Sequence, residues 1–557
     1  MEPMSFTKVA CLQPDVFPAQ PDRNVKSILN GILAANKEGA MVLVTPELSI
    51  SGYSCGDWFL RDDLVRQCED ALFWLAQQTS HLNMVIVVGL PVRGNTNTYN
   101  SACVIANGEI LGIIPKFYLP NGMGFNERRW FSPGCYATET QIAIGEDVYP
   151  FGELLFDLGH GCIMGVEICK DLWAPSPPST NLALQGANLI VNLSASVQSV
   201  GRCNARATAI SSQSSRCYCA YAYCPSLCNE STKEAFFSGA AMIFENGILL
   251  AKSLNRPRHT EITTACVDIQ TLERFRRADL GFADCAYKTI HLARTIYHKL
   301  LPLKTEYFCR EYSSAPFCPN EGLETDYYKD LLALLATALA HRIQQDEVDS
   351  LNIMPSTWKN SCATLLICAK AAALISMPPE NVVIIPKSDN ENRLAKFLGM
   401  STERKGGRSP LNIFTYNLSD IASNRALFQG DGYGILISVA QTSVDGLLFS
   451  AAEELSIPKE HFNASGLSTP EDRLFDFFLF HYIKCMESEQ KTCYLAKETF
   501  RDQFQSSVIY KMFSDFLHGY SLAQSSFSTI PQGINVCGFS FSPRGDLITP
   551  VSTRDPD

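Results

Sequence analysis

Along residues 1–290, short apolar runs alternate with longer stretches whose apolar positions recur every three or four residues. Val9–Val16, Met41–Thr45, Met84–Val92, Ala102–Ile114, Cys162–Ile168, Asn188–Ser194 and Cys219–Tyr223 are apolar runs bounded by turn formers, which predicts strands. Gly239–Phe244 and Ile248–Ala251 are joined by Glu245-Asn246-Gly247. Asn-Gly between apolar runs predicts a hairpin, because a type I′ turn needs positive φ at both central residues. Asp22–Lys37 and Asp62–Gln78 have helical spacing, with Ile28, Ile32 and Leu33 expected on one face of the first. Strands and helices together predict one layered α/β domain over residues 1–290.

Residues 291–325 read as a connection, with Pro302, Pro316 and Pro319 among polar residues from Lys299 onward. Beyond it, Tyr327–Arg342, Cys362–Ile375 and Asp472–Cys485 carry helical patterns, and Val382–Ile385 and Ile435–Val439 are the clearest strands. A second α/β domain is therefore expected over residues 326–557, with weaker strand signals.

Composition narrows the class. Hydrophobic residues make up 46% and charged residues 18%, which excludes a disordered solvating chain. The net charge of −11 argues against a nucleic-acid or acidic-membrane partner. The 21 cysteines are an odd number, and the start MEPMSFTKVACLQP has no apolar leader core. Reduced thiols and a cytoplasmic location are expected. No apolar run approaches the ~18 residues of a membrane helix.

Three strand ends carry chemistry. Glu47 follows Met41-Val-Leu-Val-Thr-Pro, Lys116 follows Ile113-Ile-Pro, and Cys169 follows Gly165-Val-Glu-Ile. Any one of them is most often structural. Together they suit attack on an amide: the thiol as nucleophile, the carboxylate as base, the ammonium for the oxyanion. Cys217, Cys219, Cys224 and Cys228 are clustered, but Cys217 and Cys219 flank Tyr218 on an expected strand without knuckle spacing. Core residues, and no zinc, are expected there.

The segments Pro46-Glu-Leu-Ser-Ile-Ser-Gly-Tyr53, Tyr99-Asn-Ser-Ala102, Pro115-Lys116 and Gly165-Val-Glu-Ile-Cys-Lys-Asp-Leu-Trp173 resemble the nitrilase superfamily. With Ser54-Cys-Gly-Asp57 and Pro177-Pro178-Ser179 they are similar to the glutamine amidase domain of glutamine-dependent NAD+ synthetases. The resemblance implies a nitrilase-type α-β-β-α sandwich. It implies Cys169 as nucleophile, forming a glutamyl thioester and releasing ammonia, Glu47 as general base, and Lys116 with the following backbone N–H at the oxyanion. Glu127 matches the family's second glutamate, and Tyr53, Phe125, Ser196 and Arg202 fall where that subgroup contacts glutamine. Arg202 would pair with the α-carboxylate. Lys170 departs from the acidic residue common there and puts the glutamine pocket in question.

Phe539-Ser-Phe-Ser-Pro-Arg-Gly-Asp546 and Thr469-Pro-Glu-Asp-Arg-Leu-Phe-Asp-Phe-Phe-Leu-Phe-His-Tyr482 resemble segments of NAD synthetases. This implies a Rossmann-like, adenine nucleotide α-hydrolase-like second domain. The family's ATP loop, Ser-Gly-Gly-x-Asp-Ser, needs glycines so that backbone N–H groups can approach pyrophosphate. Here the matching stretch is Met354-Pro-Ser-Thr-Trp-Lys-Asn-Ser361. Ser356 and Ser361 remain, Thr357 and Trp358 replace the glycines, and Asn360 removes the carboxylate expected near Mg2+. The strand before it is interrupted by Asp349, Ser350 and Asn352, and near Val439-Ala-Gln-Thr-Ser-Val-Asp445 a second family segment is missing. Lys359 and Lys387 could still meet an anion.

The leading expectation is a glutaminase with a silent synthetase half, needing no cofactor for the amidase. One alternative is complete NAD+ synthesis from deamido-NAD+, glutamine, ATP and Mg2+ through a diverged site. Another is a regulatory partner of an active synthetase. The resemblance also implies a homo-oligomer.

Overall fold

The computed structural model describes residues 6–122, 125–230, 236–237, 239–254, 259–289, 292–318, 324–354, 357–403, 411–417, 434–439, 444, 447–448, 469–524 and 532–534. The chain divides into two compact units, Met1–Arg310 and Glu311–Asp557.

The first unit opens with β1 (Phe6–Gln13), α1 (Pro21–Lys37), β2 (Val42–Val44), α2 (Asp62–Gln78), β3 (Val85–Arg93), β4 (Thr98–Ala106) and β5 (Glu109–Pro115). Two small hairpins follow, β6 (Asn121–Gly122) with β7 (Phe125–Asn126), and β8 (Gln141–Ile144) with β9 (Asp147–Pro150). Then come β10 (Leu154–Asp157), β11 (Ile163–Ile168), α3 (Pro178–Leu184), β12 (Leu189–Ser194), α4 (Arg202–Arg216), β13 (Ala220–Pro225), β14 (Met242–Glu245), β15 (Ile248–Lys252), β16 (Glu261–Asp268), α5 (Ile269–Ala278), α6 (Leu280–Tyr287) and β17 (Arg294–Tyr297).

These strands form two sheets, in the orders β16-β1-β2-β3-β4-β5 and β15-β14-β13-β12-β11-β10-β17. Each has three parallel strands at its centre, β1-β2-β3 and β11-β12-β13, flanked by antiparallel ones. Strand side chains alternate between faces. In the first sheet Ala10, Leu12, Leu43 and Ile86 pack with Ile28 and Ile32 of α1 and Leu72 and Leu75 of α2. In the second, Ile190, Tyr221 and Met242 pack with Leu182 of α3 and Ile210 of α4. The alternate residues, Val9, Cys11, Val42 and Val44 in one sheet and Leu189, Val191 and Ala222 in the other, are equally buried, because the two sheets face each other. Gln13 Nε2 donates across to Pro225 O at 2.8 Å and Cys224 Sγ to Leu12 O at 3.3 Å. Burial on both faces explains the uninterrupted apolar runs. The layers are therefore α-β-β-α.

Several expectations shift in detail. Ala102–Ile114 is not one strand but β4 and β5, turned at Asn107 and Gly108, both at positive φ. Asn107-Gly108 is the same hairpin signal as Asn246-Gly247, passed over within what read as one continuous apolar run. Leu33 is more than a third exposed, so α1 buries Ile28 and Ile32 without it. Cys217 is not on a strand: it caps α4, and Tyr218 turns the chain at positive φ before β13. Residues 294–297, expected as connection, are edge strand β17, whose partly exposed residues show no apolar alternation.

The second unit has α7 (Glu324–Gln345), β18 (Leu351–Met354), α8 (Trp358–Leu374), β19 (Val382–Ile384), α9 (Asp389–Phe397), β20 (Leu411–Asn417), β21 (Gly434–Val439) and β22 (Gln532–Ile534). They make a parallel Rossmann-like sheet in the order β19-β18-β20-β21-β22. Leu332, Leu335 and Leu339 of α7 and Leu365 and Leu366 of α8 pack in one core with Leu351, Ile353, Val382 and Ile413. The polar Asn352 that weakens the strand signal is buried and donates to Asn412 Oδ1 at 2.9 Å, directly across on β20. Asp472–Cys485 divides into an α-helix, Pro470–Phe478, and a π-helical turn, Leu479–Lys484. Ser356, residues 539–546, most of 439–445 and the side chain of Trp358 lie outside the described residues.

Candidate active site

Chain ends of both sheets meet at one buried cluster. Glu47 sits in the turn after β2, Lys116 directly after β5, and Cys169 directly after β11. Glu47 and Lys116 thus come from one sheet and the thiol from the other. All three are buried, Lys116 completely.

Lys116 Nζ donates to Glu47 Oε1 at 2.5 Å and to Glu127 Oε1 at 2.7 Å. Glu127 Oε1 also accepts from Tyr53 OH at 2.6 Å. Asn100 Nδ2 on β4 donates to Glu47 Oε1 at 2.7 Å, and the Ala195 N–H to Glu47 Oε2 at 2.9 Å. An ammonium has three donors. Two are engaged by carboxylates, which leaves one for an incoming oxygen.

Burial works against the Lys116 charge, but Glu127 and Glu47 outweigh it and hold its pKa above the ordinary value. Burial pushes the Glu127 carboxyl up to about 7, against the lowering pull of Lys116. Burial, then the negative charge of Glu47, pushes the Cys169 thiol up to about 12, with Lys116 opposing. At neutral pH Cys169 is therefore held as a thiol, which would have to lose its proton before acting as a nucleophile.

Backbone geometry presents that thiol. Cys169 has φ +47°, a left-handed conformation at the step from β11 into the 3-10 turn Cys169–Trp173. Its N–H donates to Asn192 Oδ1 at 3.2 Å, an oxygen that also accepts from Ser194 Oγ at 2.9 Å. Its Sγ lies 3.9 Å from Ala195 O. The buried Asp171 carboxylate accepts from the Ile168 N–H at 2.9 Å and the Tyr118 N–H at 2.8 Å. It fastens the cysteine turn to the chain just past Lys116. Gly89 lets β3 pass under the Glu47 turn, since a Cβ there would meet Leu48 N at 2.3 Å.

Of the other expected site residues, Tyr53 joins the cluster through Glu127, and Phe125 packs edge-on to its ring at 6.1 Å. Ser196 Oγ bonds Tyr223 OH at 2.6 Å. Lys170 is exposed. Arg202 is exposed as well, with its guanidinium over the Trp173 ring at 4.2 Å.

One helical turn on from Arg202, Arg206 is fully buried. Its guanidinium lies 5.5 Å from the centre of the Tyr223 ring, and Nη2 reaches Gln198 Oε1 at 3.5 Å. Its Nε and Nη1 have no partner among the described residues. Arginine is almost never buried unpaired. Burial raises the Tyr223 phenol pKa, Arg206 pulls it back, and Cys169 raises it further, so both groups act on one ring. Sequence reasoning missed Arg206, Asn100, Asn192 and Asp171. Asn100 and Asn192 were visible as polar residues inside apolar strand runs.

Residues 8–277 match the carbon-nitrogen hydrolase family. This part of the chain is a carbon-nitrogen hydrolase domain. The chain is 39% identical over 281 residues to the glutamine-dependent NAD(+) synthetase of Mycobacterium tuberculosis strain H37Rv, covering 50% of this chain and 41% of the relative. It is 33% identical over 387 residues to the enzyme of that name from Mycobacterium leprae, covering 68% of this chain and 57% of the relative. With the one from Homo sapiens it shares 27% over 318 residues, 55% of this chain and 43% of the relative. These matches span about half the length of the curated relatives. The match to the Mycobacterium leprae protein is long enough to run past the hydrolase domain into the second unit.

In the second unit, Thr357 caps α8, its Oγ1 accepting from the Asn360 N–H at 3.4 Å. Asn360 is buried, and its amide Oδ1 and Nδ2 have no partner among the described residues. Among the described residues, no His, Cys, Asp and Glu group suits a metal, and no helix is long and apolar enough to cross a membrane.

Proposed function

We propose that the protein hydrolyses glutamine, or a close ω-amide, to the acid and ammonia. The observation that carries this reading is the buried meeting of Cys169, Glu47 and Lys116, with one Lys116 N–H left for an oxyanion. Cys169 Sγ attacks the amide carbon as its proton passes to Glu47. Lys116 stabilises the oxyanion by hydrogen bond and charge. Glu47 returns the proton to the departing nitrogen, ammonia leaves, and a thioester remains. Water, deprotonated by Glu47, then releases the acid and restores the thiol.

In this reading Arg206 replaces Arg202 as the partner of the substrate α-carboxylate. A buried guanidinium with two free nitrogens offers forked recognition, whereas Arg202 is spent on Trp173 in solvent.

The second unit is proposed to be silent in synthesis. A phosphate cradle needs free N–H groups at the helix start, and here the Thr357 side chain takes one of them. With Asn360 in place of a carboxylate, the residues present do not fit Mg-ATP. Complete NAD+ synthesis is the second reading, favoured by the names of the relatives and by the Mycobacterium leprae match entering this unit. Incubation with glutamine, deamido-NAD+ and Mg-ATP, followed by mass spectrometry against a control without ATP, separates the two. Equal glutamate in both samples, with no NAD+, is expected. NAD+ with AMP would establish the second reading, and no hydrolysis of any amide would refute the first.

A further inference from the structure

Away from the active site, the end of the first unit places two thiols side by side. Cys266 Sγ and Cys309 Sγ are 3.5 Å apart. Cys266 is buried on β16, and Cys309 is exposed. Lys8 is the direct cross-strand partner of Cys266 in the β1–β16 pair, so its ammonium rises from the same face.

The residues around Cys309 are each fastened to the first unit. Lys8 Nζ donates to Tyr307 O at 3.2 Å, and the Phe308 ring meets Phe6 edge-on at 4.9 Å. Arg310 grips Glu245 through two bonds, 2.6 and 2.7 Å, and its Nη1 also reaches Cys266 O at 3.3 Å. With both flanks fixed, Cys309 is held against Cys266 before any reaction. The sulfurs must close to about 2.0 Å for a bond, a change within reach of side-chain rotation at an exposed residue. Such prior positioning speeds the closing step because little freedom remains to be lost.

We propose that Cys309 is a thiol–disulfide exchange site for small disulfides such as glutathione disulfide, with Cys266 as the resolving thiol. The Cys309 thiolate attacks one sulfur of the small disulfide, forming a mixed disulfide and expelling one thiolate. Cys266 loses its proton to solvent and attacks Cys309 Sγ, expelling the second thiolate. The protein loses two electrons and two hydrogens, and the small disulfide is reduced to two thiols. The product bond fastens the last residues of the first unit to β16.

The electrostatics agree with this order of attack. The hydrogen bond between the two sulfurs and the Lys8 charge lower the Cys309 thiol against the effect of burial, while Cys266 is raised by that bond and by burial. At pH 7 more of Cys309 than of an ordinary thiol is thiolate, partly offset by its lower intrinsic nucleophilicity.

The test uses the full chain with glutathione disulfide at pH 7, timed alkylation and peptide mapping. We expect a Cys266–Cys309 cross-linked peptide, with two glutathione thiols released per bond. The Cys266→Ser variant should stop at a glutathione adduct on Cys309, and Cys309→Ser should leave Cys266 unmodified. Lys8→Met should slow the reaction at Cys309 a few-fold at pH 7 and move its pH profile upward, with circular dichroism reporting the fold. The proposal is overturned if Cys309, Cys135 and Cys285 form adducts at equal rates with no cross-link. It is equally overturned if the Cys309 adduct persists as long in the parent as in Cys266→Ser.

Discussion

Glu47 and Glu127 are joined by a single ammonium: Lys116 Nζ lies 2.5 Å from one carboxylate and 2.7 Å from the other, in a site closed to solvent. Two carboxylates against one cation leave a net negative cluster, and burial penalises that charge. The strain falls on Glu127, whose carboxyl rises to about 7 from burial while Lys116 pulls the other way. Glu47, bonded by Lys116, Asn100 and the Ala195 N–H, is the carboxylate placed to take a proton.

Removing the proposed nucleophile or the proposed base should therefore differ from removing their neighbour. Cys169→Ala and Glu47→Gln are each expected to lower kcat by about 10³-fold or more, measured as ammonia release from glutamine. Retained turnover in Cys169→Ala would exclude the thioester route.

Glu127→Gln keeps the shape and the acceptor for Tyr53 but removes the titration near 7. We expect kcat to fall by roughly ten- to a hundred-fold, and the inflection near pH 7 in the kcat profile to disappear. An inflection that survives in the variant belongs to another group.

Arg206 provides a readout of substrate class. With Arg206→Met, KM for glutamine should rise by about ten- to a hundred-fold while kcat changes little, as for lost ground-state binding. Butyramide, which lacks the α-carboxylate, should be hydrolysed equally by parent and variant. Arg202→Met should shift KM only a few-fold. A reversed order between the two arginines restores the expectation drawn from family resemblance.

Much of this site was legible in the sequence because chemistry at strand ends coincides with breaks in apolar runs. Glu47, Lys116 and Cys169 each follow a doubly buried strand, where a charged or nucleophilic residue stands out. Arg206 was hidden for the opposite reason. It sits inside α4 among polar residues, where an arginine reads as a solvated face, and only the fold shows that this turn points inward. The α-carboxylate role therefore fell on Arg202, the first arginine of the same helix. Strands β10 and β17 were missed because four residues carry too little pattern, and those of β17 are partly exposed as well. Asn352 made β18 look doubtful, and its partner, Asn412, is 60 residues away in sequence.

Glu230 gives a stability prediction with a definite sign. It is buried, its Oε1 accepts from the Tyr53 N–H, its Oε2 has no partner among the described residues, and burial pushes its carboxyl up to about 7. An unfolded glutamate titrates near ~4.3, so between there and ~7 the folded state binds the extra proton. This contribution to stability is complete below about pH 4.3 and is lost as pH rises through about 7, at a cost of up to ~4 kcal/mol. Glu230→Gln should flatten the fall in Tm between pH 5 and pH 8, read by thermal melts of both proteins. An unchanged slope would assign the effect to Asp171 or Glu127, whose carboxyls burial also raises.

Thr357 decides how the second unit should behave. Its Oγ1 caps α8 through the Asn360 N–H at 3.4 Å, so the helix start is satisfied from within. Loss of an N-cap hydroxyl costs about 1 kcal/mol, and Thr357→Ala should lower stability by that amount. A phosphate-binding helix start would respond differently, since removing the cap would free a donor for the anion. Titration calorimetry with Mg-ATP is expected to show no binding tighter than roughly 1 mM in the parent or in Thr357→Ala. Micromolar binding to the parent would mean that the nucleotide site has been rebuilt around Thr357 and Asn360, and the silent reading of this unit would fall.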